Sequence, residues 1–265
     1  MFRSRWNPRG RLAVVTGASS GIGRDVTRIL LSKGCSVIAT ARRTSRLAEL
    51  EQLPRRDNKT TLHTISGDVT DTELRVDLVK LASKIGRLDL LVNNAGVGAI
   101  GSFADANAER LQFIVDVNFI APAELTRLAI PLLKQSDDAV ICNIGSVLGH
   151  RAGPDKSEYC ASKFALHGWS DSLRAELSPF GIGVTLVSPS TTKSEFFDVL
   201  VQSDPEAKSK SVGSWPVSRV AEAVVHAIEK RRDEAILSLG GKLLVYADRI
   251  CPPLMNRILR SRSND

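Results

Sequence analysis

Tyr159 and Lys163 stand four residues apart in Tyr-Cys-Ala-Ser-Lys, thirteen residues after Ser146. Four residues is about one helical turn, so the phenol and the ammonium share one helix face. A phenol can pass a proton to or from an oxygen, but with an ordinary pKa near 10 it is poorly poised for that at neutral pH. An ammonium about 5 Å away, at an effective dielectric of about 20, favours the phenolate by roughly 3 kcal/mol, close to two pKa units. Alone, such a pair also suits an amphipathic surface. Ser146 adds a hydroxyl that can hydrogen-bond an oxygen where negative charge develops.

Near the start the chain reads Thr16-Gly-Ala-Ser-Ser-Gly-Ile-Gly23. Gly17, Gly21 and Gly23, with Ser19, Ser20 and Ile22 between them, follow an apolar strand and open a helix. Backbone N–H groups and the helix dipole there can face a pyrophosphate that no side chain crowds. The spacing is G-x-x-x-G-x-G rather than G-x-G-x-x-G, and a tight strand-to-helix turn would also use it. Joined to the tyrosine, lysine and serine, the loop points to carbonyl/alcohol redox chemistry on a nicotinamide cofactor.

These residues need elements to position them. Apolar β-rich runs alternate with helix-period stretches: strands 11–16, 35–41, 61–66 and 88–93, with helices 22–33, 44–52 and 72–85 between them. A long helix over 106–134, strand 139–145, helix 157–177, strand 182–188, helix 218–231 and a short strand 235–239 complete the pattern. Strands such as Ala139-Val-Ile-Cys-Asn-Ile are near-continuously apolar, as expected when helices cover both sheet faces. The expectation is an α/β fold, a doubly wound parallel sheet of about seven strands in one domain over 1–265.

With Asn93-Asn94-Ala95-Gly96, Asn118, Ser146 and Tyr159-x-x-x-Lys163 in order, the chain resembles the short-chain dehydrogenase/reductase family, in its single-domain branch, over about residues 10–240. The resemblance implies Tyr159 as acid/base, and Lys163 as its partner and holder of the nicotinamide ribose. It implies Asn118 as the helix asparagine that positions a water, and Asn94, Ala95 and Gly96 passing the adenosine ribose. Asp68, followed by Val69, falls where the family places an adenine-contacting acid. Pro189 to Ser194 resembles its Pro-Gly-x-x-x-Thr segment at the carboxamide, through Pro189, Ser190, Thr192 and Ser194. Ser190 there replaces glycine and Ser194 replaces threonine. Asn118 would otherwise cap a helix kink, the asparagines would be turn formers, and Asp68 would be a helix N-terminal acid.

The second strand ends Ala39-Thr40-Ala41 with no carboxylate for ribose hydroxyls, and Arg42 and Arg43 follow. Guanidinium groups suit a 2′-phosphate, so NADP(H) is expected ahead of NAD(H), with Arg42 in the leading role. Ser20 counts the other way, because that position is basic in many NADPH-using relatives. Segment 195–216 falls where the family builds a substrate lid. Phe196, Phe197 and Trp215 would line an apolar pocket or anchor that lid in the core. Cys160 is expected in the core, and His150 at the surface or in contact with substrate.

The chain's +7 net charge and pI near 9.4 are not concentrated in any nucleic-acid module, so no nucleic-acid partner is expected. Cys35, Cys142, Cys160 and Cys251 show neither zinc nor disulfide spacing, which points to a reducing compartment, the cytoplasm, and to no metal. The basic N-terminus lacks a signal-peptide core, and no apolar run approaches the roughly 20 residues of a membrane span. Helices 106–134 and 157–177 carry surplus apolar residues, including Leu128, Leu132, Leu166, Trp169 and Leu173. The family pairs these helices between subunits, so a homodimer or homotetramer is expected. The extension 240–265 is basic and amphipathic, suited to a neighbouring subunit, a lid or, weakly, an anionic membrane surface. The expected activity is hydride transfer to a carbonyl or from a secondary alcohol of an apolar small molecule. The rivals are a catalytically silent dinucleotide-binding regulatory protein of the same fold, and a nucleotide-sugar epimerase, for which too few residues follow 190.

Overall fold

In a computed structural model, residues 5–193, 201 and 214–262 are described. Seven strands form one sheet in the order β3-β2-β1-β4-β5-β6-β9, every neighbour parallel. They are β1 (Leu12–Thr16), β2 (Ser36–Ala41), β3 (Leu62–Ser66), β4 (Leu90–Asn93), β5 (Val140–Ile144), β6 (Gly183–Ser188) and β9 (Glu234–Ile236). The pair β7 (Thr192–Lys193) and β8 (Trp215–Pro216) stands apart.

Every side chain of β1 is buried, and alternation sorts them: Ala13 and Val15 face one core, Leu12 and Val14 the other. The first core is closed by α1 (Gly21–Ser32) and α7 (Val217–Glu229), through Val26, Leu30, Val224 and Ile228. The second is closed by α3 (Thr72–Ile85), α5 (Ala121–Leu133) and α6 (Ser157–Leu177), through Leu78, Leu125, Leu133 and Leu173. Helices on both faces are what continuously apolar parallel strands require. A short α2 (Thr44–Ala48) runs into a 3-10 turn, Glu49–Gln52.

The stretch expected as one helix over 106–134 is helical without a break from 108 to 133 but holds a π-helical turn. It comprises α4 (Ala108–Val115), a π-helical turn Asp116–Ile120, and α5. Strand β9 is shorter than expected, and the extension forms two further helices, α8 (Leu239–Ile250) and α9 (Pro252–Arg262), broken at Cys251 ahead of Pro252 and Pro253. Leu166 and Leu173, expected as surplus apolar surface, are buried, Leu173 against the sheet, and Leu128, Leu132 and Trp169 are half-buried. Trp169 packs edge-on against Phe119, with ring centroids 6.2 Å apart. Among the described residues no helix is long and apolar enough to cross a membrane.

Candidate active site

The strand order reverses between β1 and β4, and a crevice opens there beyond their carboxyl ends. Asn94, just past β4, closes its floor: its Nδ2 donates to the Thr16 and Gly17 carbonyls at 2.9 and 3.2 Å. The Thr16 hydroxyl in turn accepts from the backbone amides of Asn94 and Ala95, both at 3.0 Å. Gly17 sits at φ +67°, and a Cβ there would lie 2.8 Å from Asn94 Nδ2. At Gly23 a Cβ would meet the Gly17 carbonyl oxygen at 2.4 Å, so only glycine lets α1 start this close to the loop. Ser20 at the helix start makes no side-chain cap, and the first turn has no acidic residue. That leaves the amides of the first turn suited to an anion.

The resulting cleft measures about 750 Å³. Gly17, Ser19, Ser20, Gly21 and Ile22 line one end, with Arg42, Arg43, Asp68 and Val69 beside them. Asn94, Ala95 and Gly96 form the middle, and Ser146, Tyr159 and Lys163 follow, with Pro189, Ser190 and Thr192 opposite. Eighteen expected site residues therefore meet in one groove. Gly23 and Asn118 act from behind its wall, and Ser194, with Phe196, Phe197 and most of 195–216, lies outside the described residues. A strip bounded at one end by a helix N-terminus and two arginines, with no room for side chains on its glycine floor, fits a dinucleotide.

At the arginine end, Arg43 rather than Arg42 reaches the glycine loop. Its guanidinium donates to Ser20 Oγ at 2.6 Å and to Ser19 Oγ at 3.3 Å. Arg42 lies 4.0 Å from Asp68, whose other oxygen accepts from the Thr70 amide and hydroxyl at 2.9 and 2.8 Å.

At the other end, Ser146 caps a 3-10 turn by accepting from the Leu148 amide at 3.1 Å, and its hydroxyl is hydrogen-bonded to Tyr159. Lys163, 5% exposed, donates to the Ile144 carbonyl at 2.9 Å. Burial pushes the Tyr159 phenol up to about 12, against the lowering effect of the Ser146 hydrogen bond, and pushes Lys163 down to about 8. This corrects the expectation of a phenol lowered by its lysine. The ammonium lies 5.8 Å from the Tyr159 ring, and desolvation is the largest influence on the phenol.

Asn118 is aimed by the π-helical turn. Its Oδ1 accepts from the Val97 amide at 2.9 Å, and its Nδ2 donates to the Val97 carbonyl and to Ser162 Oγ at 2.9 and 3.0 Å. It does more than cap a kink: it joins the β4 loop to α6 one residue before Lys163. Asn93 likewise donates to Asn143 Oδ1 at 2.8 Å and to Thr126 Oγ1 at 3.1 Å, locking β4 to β5 and α5.

Several contributors were invisible in the linear pattern. Arg110 and Glu158 form a fully buried ion pair at 2.6 Å that fixes the start of α6 beside Tyr159. Gly149 presses its backbone on α6, where a Cβ would lie 2.7 Å from the Lys163 carbonyl. Gly241, Leu243 and Leu244 reach the cleft from α8. The amphipathic pattern of 240–265 is the signal for that helix, although the strand expected over 235–239 overruns its first residue, Leu239. His150 is neither at the surface nor in the cleft. Its side chain is 2% exposed, with Nε2 2.8 Å from Ser188 Oγ and Nδ1 3.3 Å from Glu234. Burial holds it down to about 4, so the ring is neutral at physiological pH. The His150, His167 and Glu234 ligand atoms lie within 4.8 Å of one another, and Arg249, 3.7 Å from Glu234, supplies the positive charge there. Cys160 is buried as expected, and Trp215 packs on the core with Arg219 stacked 4.0 Å over its ring, away from the cleft lining.

A parallel sheet with a glycine-floored crevice at its reversal, and a hydroxyl, phenol and ammonium at the crevice's end, defines a dinucleotide-dependent oxidoreductase. A family model described as "short chain dehydrogenase" matches residues 11–204. Dehydrogenase/reductase SDR family member 7B of Xenopus laevis is 30% identical over 95% of this chain and 81% of its own. Ketoacyl reductase HetN of Nostoc sp. is 32% identical over 95% and 88%. A crystal structure of a short-chain dehydrogenase from Streptomyces avermitilis superposes with TM-score 0.80 at 29% identity, covering 96% of this chain and 98% of that one. A short-chain dehydrogenase/reductase from Burkholderia phymatum, solved in complex with NAD, gives 0.76 at 25% identity over 86% and 89%. The chain belongs to the short-chain dehydrogenase family.

Proposed function

We propose that the protein is an NADP(H)-preferring oxidoreductase that reduces the carbonyl, or oxidises the secondary alcohol, of an apolar small molecule. The observation that carries this reading is the hydrogen-bonded Ser146–Tyr159 pair, with Lys163 buried beside it, at the end of the cleft. A bound nicotinamide supplies or accepts the hydride. Tyr159 gives the proton to the carbonyl oxygen, or takes it from the alcohol, while Ser146 donates a hydrogen bond to that same oxygen. Lys163 keeps a dissociable proton behind Tyr159, and Asn118 holds the wall through which that proton reaches solvent. Ile100, Val117, Val147 and Leu148 are among the residues that line the cleft and favour an apolar substrate.

Two observations support NADP(H). Strand β2 ends without an acid, and Arg43 stands over Ser19 and Ser20, supplying the positive charge that Ser20 itself lacks. Arg42 adds a second cation next to Asp68. A charged contact to a phosphate is worth roughly 1.5–3 kcal/mol, a preference of about tenfold to a hundredfold. Four free thiols, Cys35, Cys142, Cys160 and Cys251, favour a cytoplasmic setting.

The test is oxidation of NADPH and NADH against a panel of carbonyls. Turnover with a kcat/KM ratio above one for NADPH is expected, and no turnover on any carbonyl favours the silent dinucleotide-binding alternative. Tyr159→Phe should lower kcat by at least roughly 10²-fold with cofactor affinity unchanged. Retention of half the wild-type rate would remove Tyr159 from its role.

A further inference from the structure

Helices α8 and α9 carry a feature that hydride transfer does not use. Leu239, Leu243, Tyr246 and Ile250 recur at i, i+4, i+7 and i+11 on one face of α8, and they are 80, 71, 49 and 84% exposed. Leu254 and Ile258 of α9 continue the exposed apolar surface. Six of the twelve large apolar side chains exposed among the described residues therefore fall within twenty positions, a patch rather than scattered singles. The helix does not need that face to hold its place. Its inner side buries Val245, brings Gly241 so close that a Cβ would meet Val147 at 2.8 Å, and pairs Asp248 with Arg151 at 2.8 Å. Arg151 also donates to Asn256 of α9 at 2.7 Å.

Leu243 and Leu244 line the cleft, so the exposed stripe begins at the cleft's mouth. Between residues 239 and 262 stand Lys242, Arg249, Arg257, Arg260 and Arg262 against one acid, Asp248. Lys242 and Arg249 are exposed on the face next to the stripe. A basic amphipathic helix with an apolar face lies in a bilayer interface, held by apolar burial and by anionic headgroups. A second copy of the same face would set like charges against each other.

We infer that the α8–α9 face docks on an anionic lipid bilayer, and that the substrate is an apolar carbonyl or alcohol dissolved in that bilayer, entering the cleft past Leu243. The substrate half rests on the proposed reductase function; the docking half does not.

The full chain is sedimented with phosphatidylcholine vesicles with and without phosphatidylserine. It should pellet with the anionic vesicles and be released by high salt. The double variant Ile250→Glu, Leu254→Glu should lower the bound fraction at least about tenfold. Its melting temperature and its turnover of a water-soluble carbonyl should match wild type, while KM for a long-chain ketone presented in vesicles rises and kcat holds. Wild type left in the supernatant with both vesicles overturns the inference, as does a double variant that pellets like wild type. A particle mass that halves in the variant, without vesicle binding by wild type, assigns the face to a second copy and overturns it too. Vesicle binding without turnover of any carbonyl or alcohol upholds docking and refutes the oxidoreductase reading, and with it the substrate half.

Discussion

Lys163 reaches a pKa of about 8 because burial penalises its charged form, while an unfolded chain holds that proton to about 10.5. Between those values the unfolded state binds more protons, so stability rises with pH across that window. The buried Tyr159 phenol, with its proton held up to about 12, acts in the opposite direction, but only above pH 10. The Lys163 contribution between pH 8 and 9.5 is about 2 kcal/mol, at about 1.4 kcal/mol per factor of ten. Urea midpoints at pH 7.5 and 9.5 should therefore separate for wild type and converge for Lys163→Met. Equal pH slopes in the two proteins would show that the ammonium is not desolvated. On the cofactor side, Arg43 rather than Arg42 stands over the glycine loop, so Arg43→Ala should lower the NADPH/NADH ratio of kcat/KM by about tenfold or more, and Arg42→Ala by less. An unchanged ratio in both variants would sink the NADP(H) assignment.

At the scale of elements, the start of α1 and the middle of α6 make opposite demands on glycine. Gly23→Ala puts a methyl 2.4 Å from the Gly17 carbonyl oxygen, a rigid backbone atom, so α1 must move away from the loop. Overpacking of this kind costs about 1–3 kcal/mol, and cofactor affinity should fall at least about tenfold. Gly168 in α6 is exposed with nothing near its absent Cβ, so Gly168→Ala should stabilise the fold by up to about 1 kcal/mol with cofactor affinity unchanged. Cofactor titrations and melting curves on the two variants check both signs. The π-helical turn between α4 and α5 belongs to this scale as well, since it turns Asn118 inward to Val97 and Ser162.

For the whole molecule, an oligomer remains our expectation, on altered grounds. Leu166 and Leu173 belong to the core, whereas Leu111, Ile120 and Phe164 are 38, 41 and 43% exposed on α4, the π-helical turn and α6. Light scattering at micromolar concentration should give a dimer or tetramer, and Phe164→Glu should reduce the mass. A wild-type monomer would refute this, and an oligomer unaffected by Phe164→Glu would place the interface elsewhere.

The sequence alone determined the parallel sheet and singled out the candidate chemical residues, because both are written in short-range spacing. Continuous apolar strands cannot face water on either side, and Tyr159 with Lys163 at one helical turn or Gly17, Gly21 and Gly23 at a strand end declare themselves locally. Element bounds in the first half agreed within a residue or two, and only helix 44–52 differed in type, ending in a 3-10 turn. Tertiary structure alone decided which arginine meets the loop, where His150 goes, that Arg110 finds Glu158 across 48 residues, and that α8 closes one side of the cleft. It also decided the direction in which the phenol's pKa moves. Desolvation and long-range pairing depend on everything packed around a group, and no local spacing records them.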